Sequence, residues 1–457
     1  MTLNLFKRTV ETCLLGFLLL ISCLPVNAED LSEIYDRAVQ NDPQLGAAKA
    51  LYLSRGEVVK QAKAGILPFA SVGGSTSDER RTLLVTPGIT RTDNFNNHAW
   101  QAVLIQPIFR LDRWYQFQQS KNIKAQALAQ FASDQQDLIV RVAESYLNIL
   151  EKEDFLSASN AERNAVGRQL EQVQQRFDVG LVAITDVLES TAAFDASTVN
   201  VITAEGDQST SFEPLLRLTG ESINSVLGLS GEFPVKPPVP MDEDAWVQAA
   251  LQQNYSLVAA REVVKAAEKQ IKISKSGHLP TVDAQVTYTH SISGGGGFFG
   301  SEVDNRSVAL QMNIPLYAGG GTRSAVKQST YLLEEAQKTF DLTQRTVVEK
   351  TKIRYTAINT DVARVRARLR GIESSQSALD ATQTGYEVGT RNIVDVLLAQ
   401  QRLFLSQFQY ASARYQYIKD TFRLKQLVGA LSPDDIYDLN NFTQGETSIS
   451  RITPTTR

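Results

Sequence analysis

The sequence predicts an exported α+β membrane protein that is built as an internal repeat. The segment "RFDVGLVAITDVL" at residues 176–188 returns as "GYEVGTRNIVDVL" at residues 385–397, 209 residues later. Each half of the chain also contains short segments with the two-residue period of β-strands and long segments that are rich in helix-forming residues. Because duplicated sequences fold alike, each half should contain one helix, one β-hairpin and one long helical hairpin.

The amino terminus has the order of a secretory signal peptide. A short basic segment precedes an apolar run at residues 13–24, and the small-residue segment that follows it includes Ala28. We therefore expect a signal peptide at residues 1–28, and cleavage after Ala28 would leave the mature chain without cysteine or disulfide. The tetrapeptide "LISC" leaves a second interpretation open, in which Cys23 is lipidated after processing.

Composition and charge exclude several classes of function. The chain has 46 basic and 50 acidic residues and no basic patch, which argues against nucleic-acid binding. Its three histidines have no cysteine or second histidine at metal-ligand spacing, and no set of nucleophile, base and orienting residue stands out. We therefore expect no enzyme activity, no metal and no cofactor. After the signal peptide, no apolar run reaches the length of about 18 residues that a membrane-spanning helix needs.

Collinear matches divide the chain into two repeats and a tail. The segment 45–70 pairs with the segment 257–282. Further along, "QPIF" at 106–109 pairs with "IPLY" at 314–317. The first predicted repeat is 29–240, with a β-hairpin at about 68–109 and a helix tip at 177–186. The second is 241–431, with a β-hairpin at about 281–317 and a helix tip at 386–395. A polar, partly disordered tail is predicted at 432–457.

The clearest strands lie in the second repeat. The segments 281–290 and 307–315 alternate apolar and polar residues over about ten positions, the length and pattern of a membrane-spanning β-strand. The residues predicted to face lipid are Val282, Ala284, Val286, Tyr288, Val308, Leu310, Met312 and Ile314. A half-buried hairpin of a soluble sheet is the alternative interpretation. In the first repeat, strands at about 68–79 and 99–109 alternate less clearly, and a polar loop is predicted between them.

Four strands per chain are too few to close a barrel, because single-chain membrane barrels have at least about eight strands. Copies of the chain must therefore contribute strands to a common barrel. Three copies around a threefold axis would supply twelve strands, and closed symmetry of this kind is what most oligomers adopt. The predicted assembly is thus a homotrimer with a twelve-stranded β-barrel.

Long helices follow the strands in both repeats. No proline occurs in residues 108–213 or in residues 316–432. Residues 112–176 alone would span about 100 Å as one continuous helix. In residues 355–386 mostly apolar side chains, with Gln376 and Gln383 among them, recur at alternating steps of three and four, which is typical of a coiled coil. An antiparallel coiled coil whose only role is its length is the alternative interpretation.

The repeated motif predicts a capped helix hairpin in each half. Gly180 and Gly389 should adopt the positive φ that closes a helix C-terminus. Thr185 and Asp186 lie near the start of the return helix, where side-chain acceptors suit free backbone N–H groups. Capping does not explain all the polar side chains at the two tips. Those left over are Asp186, Tyr386, Arg391 and Asp395.

These motifs carry a family resemblance. The two tip segments, the "GHLPT" turn, the "IPLYAGG" strand end and the signal peptide together resemble the TolC family of trimeric outer-membrane channel-tunnels. The resemblance covers essentially the whole mature chain to about Leu431. It implies a β-barrel in the outer membrane of a Gram-negative bacterium, continued by a helical coiled-coil barrel in the periplasm. A small mixed region near 206–250 and 425–440 would wrap the middle.

The resemblance also implies a function. Such a protein is an exit duct for efflux of small molecules, for type I secretion of proteins, or for both. A periplasmic adaptor and an inner-membrane transporter of the ABC or RND type would open it, and outer-membrane lipids would surround its barrel. The alternative hypothesis is an exported structural coiled-coil or adhesin-like protein without transport.

Particular residues take roles from the resemblance. Residues of the first tip would bond to residues of the second and hold the entrance closed. The periplasmic gate implied in this way consists of Thr185, Asp186, Tyr386, Arg391 and Asp395. The implied adaptor-docking residues are Gly180, Leu181, Gly389 and Thr390. Leu398 departs from the family's pattern of two aspartate rings, which leaves open whether cations block this channel.

Overall fold

A computed structural model describes residues 28–229, 233–295, 300–443 and 448–452. Nearly all of the expected signal peptide, with Cys23, lies outside the described residues. Among the residues that are described, no helix combines the length and the apolar character needed to cross a lipid bilayer. Contacts divide the chain into two compact units. The sheet unit consists of Ala47–Asp134 and Ala249–Glu349, and the helical unit consists of the residues to Gly46, Gln135–Gln248 and the residues from Lys350.

The described residues form ten helices and six strands in the following order. The helices are α1 (Leu31–Asn41), α2 (Pro43–Ala64), α3 (Leu111–Asp178), α4 (Ile184–Ser211), α5 (Glu213–Thr219), α6 (Glu243–Gln253), α7 (Tyr255–Ser276), α8 (Gly321–Glu387), α9 (Ile393–Leu427) and α10 (Pro433–Asn440). The strands are β1 (Phe69–Thr86), β2 (Ile89–Phe109), β3 (Ser225–Leu227), β4 (Thr281–Ser293), β5 (Ser301–Asn313) and β6 (Ser448–Ser450).

The sheet unit contains one antiparallel sheet of four strands. Their order is β1-β2-β4-β5, so that each predicted hairpin stays together and β2 joins β4. Within the described residues, β1 and β5 each have one edge without a neighbouring strand. Unpaired edges of this kind expose a row of backbone N–H and C=O groups that can pair with another chain.

The prediction of a long loop in the first hairpin is wrong. Residues 77–97 were expected to form a polar loop, but β1 and β2 contain 18 and 21 residues and leave only a tight turn between them. Gly88 occupies that turn with a φ of 92°. The extended ribbon forms because threonine, valine and isoleucine recur between the charged residues, and β-branched residues favour strands.

Strand register gives the sheet one apolar face and one polar face. Paired residues of neighbouring strands point to the same face, so each row across the sheet has one character. A row on the apolar face consists of Ala70, Leu104, Val286 and Val308. A row on the polar face consists of Gly73, Gln101, Thr289 and Asn305. The apolar face contains exposed side chains, and Val308 is 83% exposed.

The residues predicted to face lipid in β4 and β5 occupy this apolar face. Val282 pairs with Met312, and Ala284 pairs with Leu310. Ile314 follows the last residue of β5 and therefore lies outside the strand. Tyr288 pairs with Arg306, whose guanidinium carbon lies 5.5 Å from the Tyr288 ring centroid. This row of the face therefore combines an aromatic and a charged side chain.

The helical unit contains most of the four long helices α3, α4, α8 and α9. α3 and α8 have 68 and 67 residues, as the proline-free segments predict. Apolar side chains from several elements form a buried core beside them. Its most deeply buried members include Leu31, Ile34, Tyr146, Leu147, Phe212, Leu215 and Leu218. Tyr146 also donates a hydrogen bond from its hydroxyl to the carbonyl of Leu227, 2.5 Å away, which ties α3 to β3.

The described part of the tail, which was expected to be partly disordered, is ordered. α10 begins with a capping box at Ser432, and its Asn440 side chain accepts a hydrogen bond from the backbone N–H of Leu31 at 3.0 Å. β6 pairs antiparallel with β3. Polar composition alone suggested disorder, but the Asn440 side chain bonds to the amino-terminal helix and the backbone of β6 pairs with that of β3. Residues 444–447 and 453–457 lie outside the described part of the tail.

Candidate functional site

The first candidate site is the tip between α3 and α4. Gly180 has a φ of 76°, which a residue without a Cβ adopts readily. The N–H of Gly180 donates to the carbonyl of Phe177 at 2.8 Å, and the N–H of Leu181 donates to the carbonyl of Arg176 at 2.8 Å. These two bonds form a Schellman motif, which satisfies the last carbonyls of α3. The next helix begins after Ala183, whose side chain makes no capping bond.

The tip between α8 and α9 repeats this backbone with different caps. Gly389 has a φ of 79°, and its N–H donates to the carbonyl of Tyr386 at 3.1 Å. The N–H of Thr390 donates to the carbonyl of Gly385 at 2.8 Å, which completes the same motif. Here the return helix has a side-chain cap, because Asn392 Oδ1 accepts from the N–H of Asp395 at 2.9 Å.

The two tips pack against each other. Their helices share one cluster of buried apolar side chains, which draws on α3, α4, α8 and α9. Its buried members are Val166, Val173, Val187, Leu379, Ile393, Val396, Leu397 and Leu403. Phe177 and Tyr386 are partly buried against it. The structure therefore brings together the two motifs that the sequence places 209 residues apart.

Tyr386 lies between the two tips, and its O–H has no acceptor among the described residues. The hydroxyl oxygen is buried, and the Arg176 side chain, which can only donate, is within hydrogen-bonding reach of it. The guanidinium carbon of Arg176 lies 5.1 Å from the centroid of its ring, which is cation–π geometry. Burial raises the pKa of the Tyr386 phenol, the positive charge of Arg176 lowers it and the negative charge of Asp186 raises it. Asp186 is thus within electrostatic range of Tyr386.

Arg391 interacts with the first turn of α9, the helix that follows it, in the single chain. Its Nη1 lies 3.8 Å from Asp395 Oδ2, and the two side chains are 62% and 36% exposed. Among the described residues, no hydrogen bond or ion pair joins Thr185 or Asp186 to Tyr386 or Arg391. Arg391 lies two residues before α9, and its guanidinium points instead to Asp395 in the first turn of that helix. A pair as exposed as this contributes about 0–1 kcal/mol.

A polar groove runs beside Arg391 along α8 and α9. It has a volume of 380 Å³, and its walls include Asp395, Leu398 and Arg402. Leu398 is 45% exposed and stands between Asp395 and Arg402 on this face of α9. The groove therefore presents one carboxylate from this helix, together with two arginines.

The candidate docking glycines are open to solvent. A Cβ built on Gly180 or on Gly389 would meet no atom within 4 Å. Leu181 is 70% exposed beside the first glycine, and Val388 is 70% exposed beside the second. Thr390 is exposed but donates from its hydroxyl to the carbonyl of Gly385 at 3.0 Å. Both tips thus present small, open and partly apolar surfaces.

Two residues at the tips were missed by reasoning from the sequence. Arg176 contacts Tyr386, although the two residues belong to different repeats. Gly385 has no room for a side chain, since a Cβ there would lie 2.8 Å from the Cγ of Arg391. The signal was present in the motif itself, because Arg176 and Gly385 are its first residues and differ in the two copies. No described residues group three or more potential metal ligands at the tips or elsewhere.

A family model matches both repeats. The model described as outer membrane efflux protein matches residues 34–221 and 246–430. These two stretches begin before the strands of each repeat and extend past each helix tip.

Three curated relatives cover most of the chain. The outer membrane protein TolC of Vibrio cholerae is 35% identical over 422 residues, which are 90% of this chain and 93% of that protein. The TolC protein of Escherichia coli is 32% identical, with 91% and 85% covered. The alkaline protease secretion protein AprF of Pseudomonas aeruginosa is 28% identical, with 97% and 94% covered.

A solved structure shares the fold. The outer membrane protein VceC of Vibrio cholerae superposes with a TM-score of 0.75 at 15% sequence identity. The match covers 87% of this chain and 96% of VceC. The order of helices and strands is therefore that of an outer-membrane channel-tunnel protomer.

Proposed function

The chain belongs to the outer membrane efflux protein family, and we propose that it is an exit duct of the outer membrane, for efflux of small molecules, secretion of proteins, or both. The observation that carries this proposal is the match of the family model to both repeats. One relative, AprF, is named for secretion of an alkaline protease, while the family is named for efflux. The comparisons give no support to the alternative of a structural protein without transport.

Three copies of the chain form the duct. The unpaired edges of β1 and β5 support this assembly, because each copy can pair its β5 with the β1 of a neighbour. The resulting barrel has twelve strands, places the apolar face of each sheet toward lipid and encloses water with the polar face. The barrel lies in the outer membrane of a Gram-negative bacterium, and the helical tips lie in the periplasm.

The two tips form the periplasmic gate. In the closed state Arg391 bonds to Asp186, while Thr185, Tyr386 and Asp395 line the constriction. Two features of the single chain support this assignment. The Arg391–Asp395 contact is long and exposed, so Arg391 can leave Asp395 for another carboxylate at little cost in free energy. The buried O–H of Tyr386 lies near Asp186 and has no acceptor among the described residues, and such a group gains free energy when a carboxylate accepts from it.

The glycine turns are the adaptor-docking surface. Gly180 and Gly389 have open space around them, and Leu181 adds an exposed apolar side chain. A helical tip of a periplasmic adaptor docks on this surface, with Thr390 at its edge, and an inner-membrane transporter completes the assembly. Docking of a partner with even modest affinity is enough to displace an ion pair that contributes about 0–1 kcal/mol.

A charge placed on each face of one strand tests the duct. Val308 and Ser307 are neighbours in β5 and point to opposite faces, so Val308→Lys and Ser307→Lys add the same charge to the same strand. We expect Val308→Lys to reduce the yield of trimers in outer-membrane fractions by at least about tenfold, since a lysine facing lipid costs up to about 2–4 kcal/mol. Trimers of Ser307→Lys should form normally and conduct ions in planar bilayers. Wild-type protein that is monomeric and passes no ions would contradict the proposal.

A further inference from the structure

Two buried aspartates face each other between α8 and α9 within the helical unit. Asp361 on α8 is 2% exposed and Asp420 on α9 is 3% exposed. They line a groove of 690 Å³ together with residues of α6, α8 and α9. The charged members of its wall are Glu243, Lys352, Asp361, Arg364 and Asp420. Buried carboxylates are costly unless every oxygen is bonded, so the partners of this pair decide its charge state.

Each aspartate has one close cation, but one oxygen lacks a partner. Arg364 Nη1 lies 2.7 Å from Asp361 Oδ1, and Arg354 Nη1 lies 2.6 Å from Asp420 Oδ1. Gln416 Nε2 donates to the second oxygen of Asp420 at 2.8 Å. The second oxygen of Asp361 is buried, and no described residue donates to it. Asp420 is nevertheless within hydrogen-bonding reach of Asp361. Two ionised carboxylates have no donor between them, so the missing component of this contact is a proton.

The remaining charges around the pair are already matched. Lys352 on α8 pairs with Glu243 on α6 at 3.0 Å. Arg423 on α9 is near Asp420 but bonds to Glu144 on α3 at 2.5 Å. Because neither cation is available to the unpartnered oxygen, they do not remove its need for a donor.

The surroundings favour the protonated form of one carboxyl. Burial raises the pKa of Asp361 to about 6, and the negative charge of Asp420 adds to the rise, while Arg364 and Arg354 oppose it. Two carboxylates that share a site hold one proton more tightly than a lone carboxylate does.

At the position equivalent to Asp361 the first repeat has Lys152, which forms an ion pair. Lys152 and Asp207 precede Asp361 and Gln416 by 209 residues each, and Lys152 Nζ lies 2.7 Å from Asp207 Oδ2. The second repeat thus has a carboxyl where the first has an ammonium. The position equivalent to Asp420 is Ser211, so the paired carboxyls are particular to the second repeat.

We propose that Asp361 and Asp420 share one proton and act as a pH-sensitive clasp between α8 and α9. The neutral carboxyl donates its O–H to the carboxylate of its partner, and the groove gives solvent protons access to the pair. The proton is released to the same groove when the pH rises, and the two carboxylates then repel each other. This inference does not depend on the proposed transport function.

The direction of the pH effect follows from linkage. The pKa of Asp361 is higher in the folded protein than its ordinary value of 3.8, so the folded state binds more protons between about pH 4 and pH 6. Stability therefore falls as the pH rises through this window, and the clasp is lost above about pH 6. Backbone amides of α8 and α9 near the pair should exchange more slowly at about pH 5 than at about pH 8, after correction for intrinsic exchange.

Infrared difference spectroscopy of the purified oligomer, titrated from about pH 8 to about pH 5, tests the clasp directly. We expect a protonated carboxyl C=O absorption that appears with a midpoint near pH 6 in wild type and is lost in both Asp361→Asn and Asp420→Asn. The matched control is Asp207→Asn in the first repeat, which should keep the absorption. A wild-type spectrum without such an absorption, or one that survives in either pair variant, would overturn the proposal. The wild-type titration alone decides the matter if a variant fails to fold.

Discussion

At the first tip the three residues after the glycine are Leu181, Val182 and Ala183, whereas at the second tip they are Thr390, Arg391 and Asn392. The backbone is nonetheless the same. Both glycines have a positive φ within 3° of each other, and both tips close with the same pair of hydrogen bonds. The first tip is apolar and lacks a side-chain cap, while the second is polar and has one.

This difference shows which property of a tip depends on which residues. Glycine and the preceding helix determine the turn, so the two repeats can retain it while the three residues after the glycine change. The side chains around the turn then give the two tips different functions. In our proposal the first tip offers an apolar surface and an acceptor, Asp186, and the second offers the mobile cation Arg391. A change at a glycine should therefore affect docking, and a change at a side chain should affect closure.

The largest expected effect is the loss of adaptor capture in Gly389→Trp. A tryptophan would fill the open space beside the turn, so an adaptor tip could not approach it. We expect a pull-down from solubilised membranes to lose the adaptor while the trimer remains intact. The control is Gly389→Ala, which places a side chain at the same positive φ, at a cost of about 1–2 kcal/mol, but adds little bulk. Normal capture by Gly389→Trp would contradict the docking assignment.

The same substitution at the first tip sharpens the comparison. Gly180→Trp adds the same bulk to the same backbone, beside Leu181 instead of Thr390. Equal losses of capture would mean that the adaptor recognises only the turn. Unequal losses would mean that it also recognises the side chains that distinguish the two tips.

A smaller but clear effect is expected when both partners of the proposed gate are removed. Trimers with Asp186→Ala and Arg391→Ser should conduct several-fold better than wild type in planar bilayers, because no bond then holds the two tips closed. The matched control is Asp195→Ala with Arg370→Ser, which removes the same charges from exposed positions on α4 and α8. Conductance equal to that of wild type in the gate variant would remove the gate assignment and leave the fold unaffected.

Much of the fold could be predicted because its signals are local. The absence of proline over long segments predicts α3 and α8, and alternation predicts the two faces of β4. The tip glycines could be predicted because a helix C-terminus needs a positive φ. Family resemblance predicted the remainder of the architecture.

The missed features depend on contacts between distant residues. The length of β1 and β2 could not be predicted, because each charged segment is extended only when paired with the other. The order of α10 depends on Asn440 meeting Leu31 from the opposite end of the chain. Within the site, the position of Arg176 over Tyr386 requires the packing of two repeats, which no single motif contains.

The smallest expected effect concerns the helix caps of the two tips. Asn392 accepts a hydrogen bond from the N–H of Asp395 at 2.9 Å, and the equivalent residue of the first tip, Ala183, cannot. Asn392→Ala should therefore destabilise the start of α9 by about 1 kcal/mol, and Ala183→Asn should stabilise the start of α4 by a similar amount.

Hydrogen exchange measured by mass spectrometry on tip peptides would detect both changes. A change of about 1 kcal/mol corresponds to a change in protection of about fivefold, with opposite signs at the two tips. If neither tip responds, the first turns of α4 and α9 are held by the apolar cluster of the paired tips and not by their caps. In that case Val187 and Ile393, which are buried in that cluster directly after the helix starts, would be the residues that hold both tips in place.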